Sequence, residues 1–544
     1  MIKKIVIVGG GFAGWYTAAT LQHNTDCEIL LIDSERHPTI GVGETTGWGI
    51  ADDFYKLAGI TDERDFLRKT GAIYKHGVRA VDFFQDHQTH QWAKFPNLKV
   101  SSLTNFYNKF EPYNFDEPRN HQDGDIGMIT AWLKINQGRG KTYKDFVNEV
   151  GEHNYFISNP VIPIDQHGDR ITSPMMGTAY NIDAGKTNDY LKSLVAKRNN
   201  GSFTWITNTV EQVVLTNNRA DVDHLLLENG TKVTADLFID ASGLGRVLMN
   251  SQQNTSWQDS GDEYCNAAWV VPSQYTDPNQ EMLGISEFFG EDWGWRFKVR
   301  LYHRIGNGYV FNTNLVDPSV PLQRLLEVTQ GTRFVEPKLI KWNPGEYTDP
   351  WQGNLVPLGM SGWMIDPYDA PTVTEHSESL KDLLKIINLD LPNKQQYYNN
   401  ARSATREERH LRLNLTFGLS RRSGPFWDSR RKMAQEGDYV KQIKDIILGK
   451  RTDLEKRMPW HWHHMYVRTC LATGVNMSDW EFPEISAADQ EIAEAFFAFN
   501  RARNQYIASQ PWPNFAQWTR ENIFDGLTSQ EVLRELNPQF FKER

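Results

Sequence analysis

Cysteine is scarce: Cys27, Cys265 and Cys470 are the only three in 544 residues. They show no paired spacing, which excludes a disulfide framework or a zinc ribbon and points to a reducing compartment. Long hydrophobic runs are missing as well, since no stretch approaches the roughly 18 consecutive apolar residues that a membrane helix needs. Lys3 and Lys4 precede an apolar run in the manner of an export signal, but the run stops at Gly9. It reads as a strand, and a soluble, cytoplasmic protein is expected. Positive charge is not in excess either. With 58 Lys and Arg against 68 Asp and Glu the formal net charge is -10, which disfavours a broad basic face for nucleic acid or acidic lipid. No repeat, low-complexity tract or flexible linker interrupts the chain.

What is abundant is tryptophan, 18 in all. Large flat side chains line aromatic-binding pockets as readily as they fill cores, so the number alone decides nothing. The length allows two or three structural units. Ile5 to Val8 is a β-branched run, Phe12 to Leu21 is helix-like, and Glu28 to Ile32 is a second apolar run. That order is strand, helix, strand. Further strand-like runs lie at Val213 to Leu215, His224 to Leu227 and Leu237 to Ile239. Beyond about Ser377 amphipathic helices take over, at Leu380 to Ile387, Asp438 to Leu448 and Ala487 to Ile507. In the last, Ile492, Phe496 and Phe499 share a face, and Ser486 with Asp489 forms a capping-box-like start. The expected fold is α/β: a Rossmann-like dinucleotide-binding fold with additional sheet over 1–376, including a substrate-facing sheet and an insert around 90–170, packed as one unit with a helical part over 377–544.

The turn after the first strand, Gly9-Gly10-Gly11-Phe12-Ala13-Gly14, has glycines at the first, third and sixth positions of the dinucleotide fingerprint. There the backbone must turn sharply and approach a pyrophosphate, and the helix that follows offers free amides. Asp33 ends the second run about twenty residues on, where a carboxylate accepts from ribose hydroxyls. Two later turns favour FAD over NAD: Leu237 to Gly243, containing Asp240, and Trp351 to Gly359, containing Gly353 and Leu358. Both resemble flavin-contacting segments of flavin monooxygenases; read alone, they are plain strand ends.

An ordered set of segments now resembles the flavin-dependent halogenases of the tryptophan-halogenase type. Pro38 to Glu44, with Gly43 and Glu44 at its end, is similar to the family's loop near the flavin. Ala72-Ile73-Tyr74-Lys75 is similar to the segment carrying its essential lysine. Asp292-Trp293-Gly294-Trp295-Arg296 resembles the paired-tryptophan motif, and Gly308-Tyr309-Val310 follows at the usual distance. Asp366-Pro367-Tyr368-Asp369 matches the segment ending in the acid that faces the lysine, and Gly424 to Trp427 resembles a turn of the helical region. The resemblance implies an enzyme in which reduced FAD, O2 and halide give hypohalous acid. The acid travels through a tunnel to Lys75, paired with Asp369, which directs electrophilic halogenation of an electron-rich phenol, indole or aniline. Trp293 and Trp295 would shield the substrate from the flavin, and their spacing of two points both the same way in a strand. Lys75 lies in a strand-like stretch from Ala72 to Phe84, which supplies rigidity. Taken without the resemblance, Lys75 reads as a surface lysine, Asp369 as a turn residue and the tryptophans as core.

The chain departs from the pattern in three places. Phe297-Lys298 stands where Ile-Pro is usual. Ala370-Pro371-Thr372 stands where the family has Ser-Thr-Gly, and Pro371 has no N–H to help hold halide. Bromide or iodide is therefore expected in preference to chloride. Trp460-His461-Trp462-His463-His464 replaces a tryptophan followed by asparagines, so Trp462, His463 and His464 are the candidate substrate contacts and free tryptophan is not the expected substrate. No acidic or cysteine ligands accompany these histidines, and no metal is expected. No second dinucleotide loop offers an NAD(P)H site, so a separate flavin reductase is implied. Two rivals stay open: a flavin monooxygenase that hydroxylates its aromatic substrate, and a non-catalytic flavin-binding protein.

Overall fold

The computed structural model describes residues 2–34, 43–47, 50–92, 128–151, 155–165, 167–170, 179–251, 256–368, 371–389, 391–436, 438–448, 450 and 463–541. Its first layer is a parallel five-stranded sheet in the order Leu355–Pro357, Leu237–Asp240, Lys4–Val8, Glu28–Asp33, Phe203–Thr207. A strand covered on both faces needs apolar residues at every position, and the β-branched run supplies them. Ile5 and Ile7 enter one core with the helix Phe12–Asn24, while Val6 and Val8 enter a second with Leu225 and Phe238. The expected first strand, helix and second strand are all present, the helix running three residues further than its apolar pattern suggested.

The second layer is a seven-stranded mixed sheet in the order Lys338–Lys341, Ala267–Ser273, Ile305–Phe311, Gly294–Arg300, Ile285–Glu291, Gly77–Val81, Thr89–Trp92. Alternation sorts its side chains. Val78, Ala80, Phe288, Trp295 and Val310 face the helical part, whereas Ala267, Val271, Tyr309 and Phe311 face the other way. A small antiparallel sheet, Glu44–Thr45, Ala179–Ile182 and Ile73–Lys75, lies between the two layers in sequence and carries Lys75.

The helical part covers the large sheet with Leu411, Leu415, Phe417, Trp427, Val467, Phe496 and Phe497. Ser486 caps the helix Ala487–Ser509 as expected, its hydroxyl accepting from Asp489 N and donating to Asp489 Oδ2 at 2.7 Å. The inward face of that helix is Ala493, Phe496, Phe497 and Asn500, with Ile492 and Phe499 only half-buried. Helix Pro371–Leu389 spans the expected change of character at 376/377, and Val373, Leu380 and Leu383 all enter the parallel sheet's core. Arg409, on helix Lys394–Gly418, pairs with Glu375 of helix Pro371–Leu389 and with Glu346 of strand Gly345–Tyr347, all three buried. Burial pushes the Glu346 carboxyl up, but Arg409 and His410 outweigh it and hold it below the usual carboxylate range.

Candidate flavin and lysine site

The glycine turn is a cradle that side chains would fill. Gly9 has φ +121° and packs so closely on the neighbouring strand end that a Cβ would sit 2.3 Å from the Ala241 carbonyl oxygen. A Cβ on Gly14 would lie 1.8 Å from the Gly9 carbonyl, and one on Gly10 would lie 1.9 Å from the Asp33 carboxyl carbon. Helix, turn and acid thus meet at van der Waals contact. Gly11 is the N-cap of helix Phe12–Asn24 without any side-chain cap, which leaves the first amides available to a phosphate. Phe12 packs on Phe54 at 6.2 Å, and the Ala13 carbonyl accepts from the Thr17 hydroxyl at 2.7 Å. Cradle, free amides and terminal acid fit the pyrophosphate and ribose of FAD.

The later turns divide. Leu358 N donates to the Asp240 carbonyl at 2.9 Å, and Gly359 packs against Ala13, so this turn does reach the cradle. Asp240 is fully buried. Its carboxylate accepts from Ser242 N (3.0 Å), Ser242 Oγ (2.6 Å), Leu248 N (2.8 Å) and Met249 N (2.9 Å), so it shapes the 242–249 loop instead of facing a ligand. Gly353 is not brought to the cradle. It precedes strand Leu355–Pro357, at the opposite end of the parallel sheet, where a Cβ would lie 1.9 Å from the Ala220 carbonyl oxygen. Its φ of +57° serves that turn.

His376 is a cradle neighbour that the sequence did not single out. Its Nε2 lies 3.2 Å from Thr17 Oγ1, its Nδ1 lies beside Gly359, and burial pushes its pKa down to about 3, so the ring is neutral. A histidine within a helix carries no local signal of this placement.

Lys75 is buried, at 6 % exposure, and its Nζ donates to the Thr46 carbonyl at 2.9 Å. Thr46 follows Glu44 and Thr45, so the lysine segment is tied to the segment similar to the family's flavin loop. A buried polar chain supports the junction: Thr45 Oγ1 and Ser286 Oγ are 2.6 Å apart, Ser286 Oγ donates to Asn181 Oδ1 at 3.1 Å, and Asn181 Nδ2 donates to the Ile285 carbonyl at 3.0 Å. Burial pushes the Glu44 carboxyl up to about 7. The strand-like stretch from Ala72 to Phe84 is two strands, not one. They are broken at His76, whose N–H leaves the small sheet and donates to the Gly284 carbonyl of the large one. Lys75 is the last residue before that crossing.

The tryptophan pair departs from expectation. Trp295 is buried among Phe288 (5.5 Å), Tyr368 (5.9 Å) and Phe83 (6.5 Å), on the face toward the helices. Trp293 packs instead on the opposite face, against the Tyr309 and Phe311 cluster. The spacing of two aligns side chains only within a strand, and Trp293 precedes strand Gly294–Arg300, in a hairpin turn where Gly294 has φ +154°. Phe297, in place of the usual residues, shares the Trp295 face and lies flat on Gly308, where a Cβ would come within 2.2 Å of its ring. Val299, next on that face, lies beside Gly43. The Gly424–Trp427 turn closes on the same hairpin: Trp427 Nε1 donates to the Glu291 carbonyl at 2.8 Å.

Asp366 is buried, and its carboxylate accepts from Tyr368 N at 3.0 Å. Desolvation pushes this carboxyl up to about 6, offset in part by the Tyr368 amide and Arg430, with the Trp295 indole and the Cys265 thiol beside it. Asp369 and Trp462 lie outside the described residues, as do Pro38 to Val42. Pro371 and Thr372 open helix Pro371–Leu389, and His463 and His464 open helix His463–Ala472. Proline at a first helical position is unstrained, because that N–H has no partner within the helix. Among the described residues no group of three or more His, Cys, Asp or Glu could hold a metal, and no helix is long and apolar enough to cross a membrane.

The parallel sheet, the glycine cradle and the acid at the end of the second strand define a Rossmann-like dinucleotide-binding core. The tryptophan halogenase family profile matches residues 4–480. The chain is 23 % identical over 524 residues to the tryptophan 6-halogenase of Streptomyces toxytricini, covering 93 % of this chain and 95 % of that one. It is 24 % identical over 392 residues to the tryptophan 7-halogenase of Lentzea aerocolonigenes, covering 71 % and 70 %. In fold it is similar to the tryptophan halogenase from Shewanella frigidimarina, with TM-score 0.76, 20 % identity and coverage of 97 % and 99 %. It is also similar to a flavin-dependent halogenase from Brevundimonas, with TM-score 0.75, 22 % identity and coverage of 96 % and 99 %. The chain belongs to the tryptophan halogenase family, and as a member it is a flavoprotein and an FADH2-dependent halogenase.

Proposed function

We propose that this halogenase directs an electrophilic halogen from Lys75 onto an electron-rich aromatic substrate of the phenol, indole or aniline type, with Asp369 facing the lysine. The observation that supports this most is the 2.9 Å bond from Lys75 Nζ to Thr46, which tethers a buried amine to the loop leading from Gly43 and Glu44. When bound, FADH2 with O2 supplies the oxidising power that turns halide into hypohalous acid. Gly9, Gly11, Phe12, Ala13, Gly14, Asp33 and Leu358 are the proposed flavin-holding residues, with Asp240 acting through its loop. The face carrying Val299, Phe297 and Trp295, which runs from Gly43 toward Tyr368, is the proposed wall of the passage to Lys75.

At Lys75 the ammonium donates a hydrogen bond to hypohalous acid, or the neutral amine displaces water and forms an N–halogen bond. In either case the ring carbon takes the halogen and loses its proton. A buried strand end keeps the amine at a fixed distance from the ring, and that fixed approach is where the rate gain arises. Trp462, His463 and His464 are the proposed ring contacts, and a separate reductase supplies FADH2. With Pro371 removing one amide from the helix start, bromide or iodide is the proposed preferred halide.

The test pairs a generic flavin reductase with equal chloride, bromide and iodide and a panel of phenols, indoles and anilines, read by mass spectrometry. Brominated or iodinated products are expected to dominate, and dominant chlorination overturns the halide preference. Lys75→Ala is expected to lower halogenated product by ~10²–10⁴-fold, the range of a positioned acid–base group. Unchanged product overturns the lysine assignment, and hydroxylated product without halogen favours a monooxygenase.

A further inference from the structure

On the inward face of strand Gly294–Arg300, Trp295 is 1 % exposed and Val299 4 %, yet Phe297 between them is only half-buried. The strand lies inside the seven-stranded sheet, so this opening is not an edge effect. The ring of Phe297 lies down across the neighbouring strand. Gly308 is its cross-strand partner, and a Cβ there would meet three distal ring atoms at 2.2 to 2.9 Å, so only glycine admits the ring in this place. Trp295 is 6.1 Å away and inclined by 54°, and it borders the ring without stacking on it. One face of Phe297 is therefore spent on the sheet and the other is left open.

The open face falls where two coverings of the sheet meet. On one side the small sheet covers Val299 and its cross-strand partner Ser286, through Gly43 and Thr45. On the other, Tyr368 and the helical part cover Trp295. The glycine cradle fixes which part of a dinucleotide reaches such a place. Asp33 ends the strand on one side of Lys4–Val8 and takes the adenosine end, so the pyrophosphate crosses the cradle and the rest of FAD leaves on the other side, over the ends of Leu237–Asp240 and Leu355–Pro357. The turns after those two strands carry Leu244 and Met360, half-buried apolar side chains on the rim of the same core cluster as Phe297. A flat apolar ring leaving the cradle in that direction meets a flat apolar ring with a free face. The aliphatic side chain usual at this position has no such face to offer.

We propose that Phe297, laid on Gly308, is the platform on which the isoalloxazine ring of FAD stacks. The proposal rests on the reading of Gly9 to Gly14 as the FAD cradle, and ADP, which fills the cradle but has no flavin, lets the two fail separately. The full-length protein is titrated calorimetrically with oxidised FAD and with ADP, and the visible band of bound flavin is recorded. Phe297→Ala is expected to weaken FAD ~10-fold and to shift the flavin band, while ADP affinity stays within about twofold of wild type. Phe297→Leu, which keeps most of the volume without the ring, is expected to show the same signs and serves if the alanine variant does not fold. Phe297→Tyr keeps the ring and is expected to bind FAD as the wild type does. Gly308→Ala pushes the ring off the sheet and is expected to cost FAD a similar factor, with little further loss when it is combined with Phe297→Ala. Unchanged FAD affinity with an unshifted band in a folded ring-deleted variant overturns the proposal. So do equal losses of FAD and ADP, which would make Phe297 a support of the sheet alone, a loss in Phe297→Tyr as large as in Phe297→Ala, or fully additive losses in the double variant. Wild-type protein that binds FAD but not ADP, with the Phe297→Ala loss intact, would count against the cradle and leave the platform standing.

Discussion

The flavin end and the lysine end of this molecule are built from different materials. At the glycine cradle the essential feature is missing atoms: Gly9, Gly10 and Gly14 sit where any Cβ would collide with Ala241, Asp33 or Gly9 itself. At the lysine end the essential feature is buried charge, carried by Lys75 and Asp366, with Arg409 and Arg468 as further buried charges on the helices, each less than a tenth exposed. A backbone site is specified by the absence of side chains at a few positions, so it tolerates almost no change within them. A side-chain site is specified by partners far along the chain, and each partner lost leaves a charge that water cannot reach.

The largest expected effect strikes the side-chain end. Arg409→Met leaves Glu375 buried and unpaired and Glu346 with His410 alone, and ~3–5 kcal/mol of unfolding free energy is expected to go, as for other broken buried ion pairs. Urea denaturation of the apoprotein measures it, and a loss below 1 kcal/mol would mean that the two carboxylates are solvated or protonated at little cost. Next comes the backbone end. Gly14→Ala drives a methyl into the Gly9 carbonyl and is expected to weaken FAD binding by ~100-fold, ~3 kcal/mol, with much less effect on the helical part. Flavin fluorescence titration reads it, and near-normal affinity would show that the cradle yields.

The smallest effect is a pH dependence. Asp366 has its folded pKa raised to about 6 from 3.8, so it binds its proton more tightly when folded. Its contribution to stability is full below pH ~4 and is lost as pH rises through 6, amounting to ~2–3 kcal/mol for a shift of about two units. Asp366→Asn, which cannot ionise, is expected to flatten the fall in stability between pH 4 and 7. An identical slope in variant and wild type would place the titration elsewhere.

This contrast also decides what could be read from the sequence. The strand, helix, strand order and the placement of Gly9, Gly14 and Asp33 follow from local spacing, whereas the Ala241 turn that closes on Gly9 does not. Leu358 lies where its turn meets the cradle, and Gly353 lies at the other end of the strand. Both flank one short strand, and the sequence does not say which end of a parallel strand meets the ligand until the strand's neighbours are known. Asp240 looked like a ligand because it ends a strand, and only the amides of Leu248 and Met249 reveal that its carboxylate is already engaged. The tryptophan pair failed through a single backbone angle at Gly294, which puts Trp293 in a turn. Thr46, Ser286 and His376 carry no local signal, since each acquires its place from contacts far along the chain.

His76 has one more consequence. Because the chain passes from the small sheet to the large one in a single residue, both sheets hold the lysine's position at once. If the proposed roles hold, substitutions at the start of helix His463–Ala472 change the substrate wall without touching either sheet, which makes that helix, and not the sheet, the place to begin a redesign.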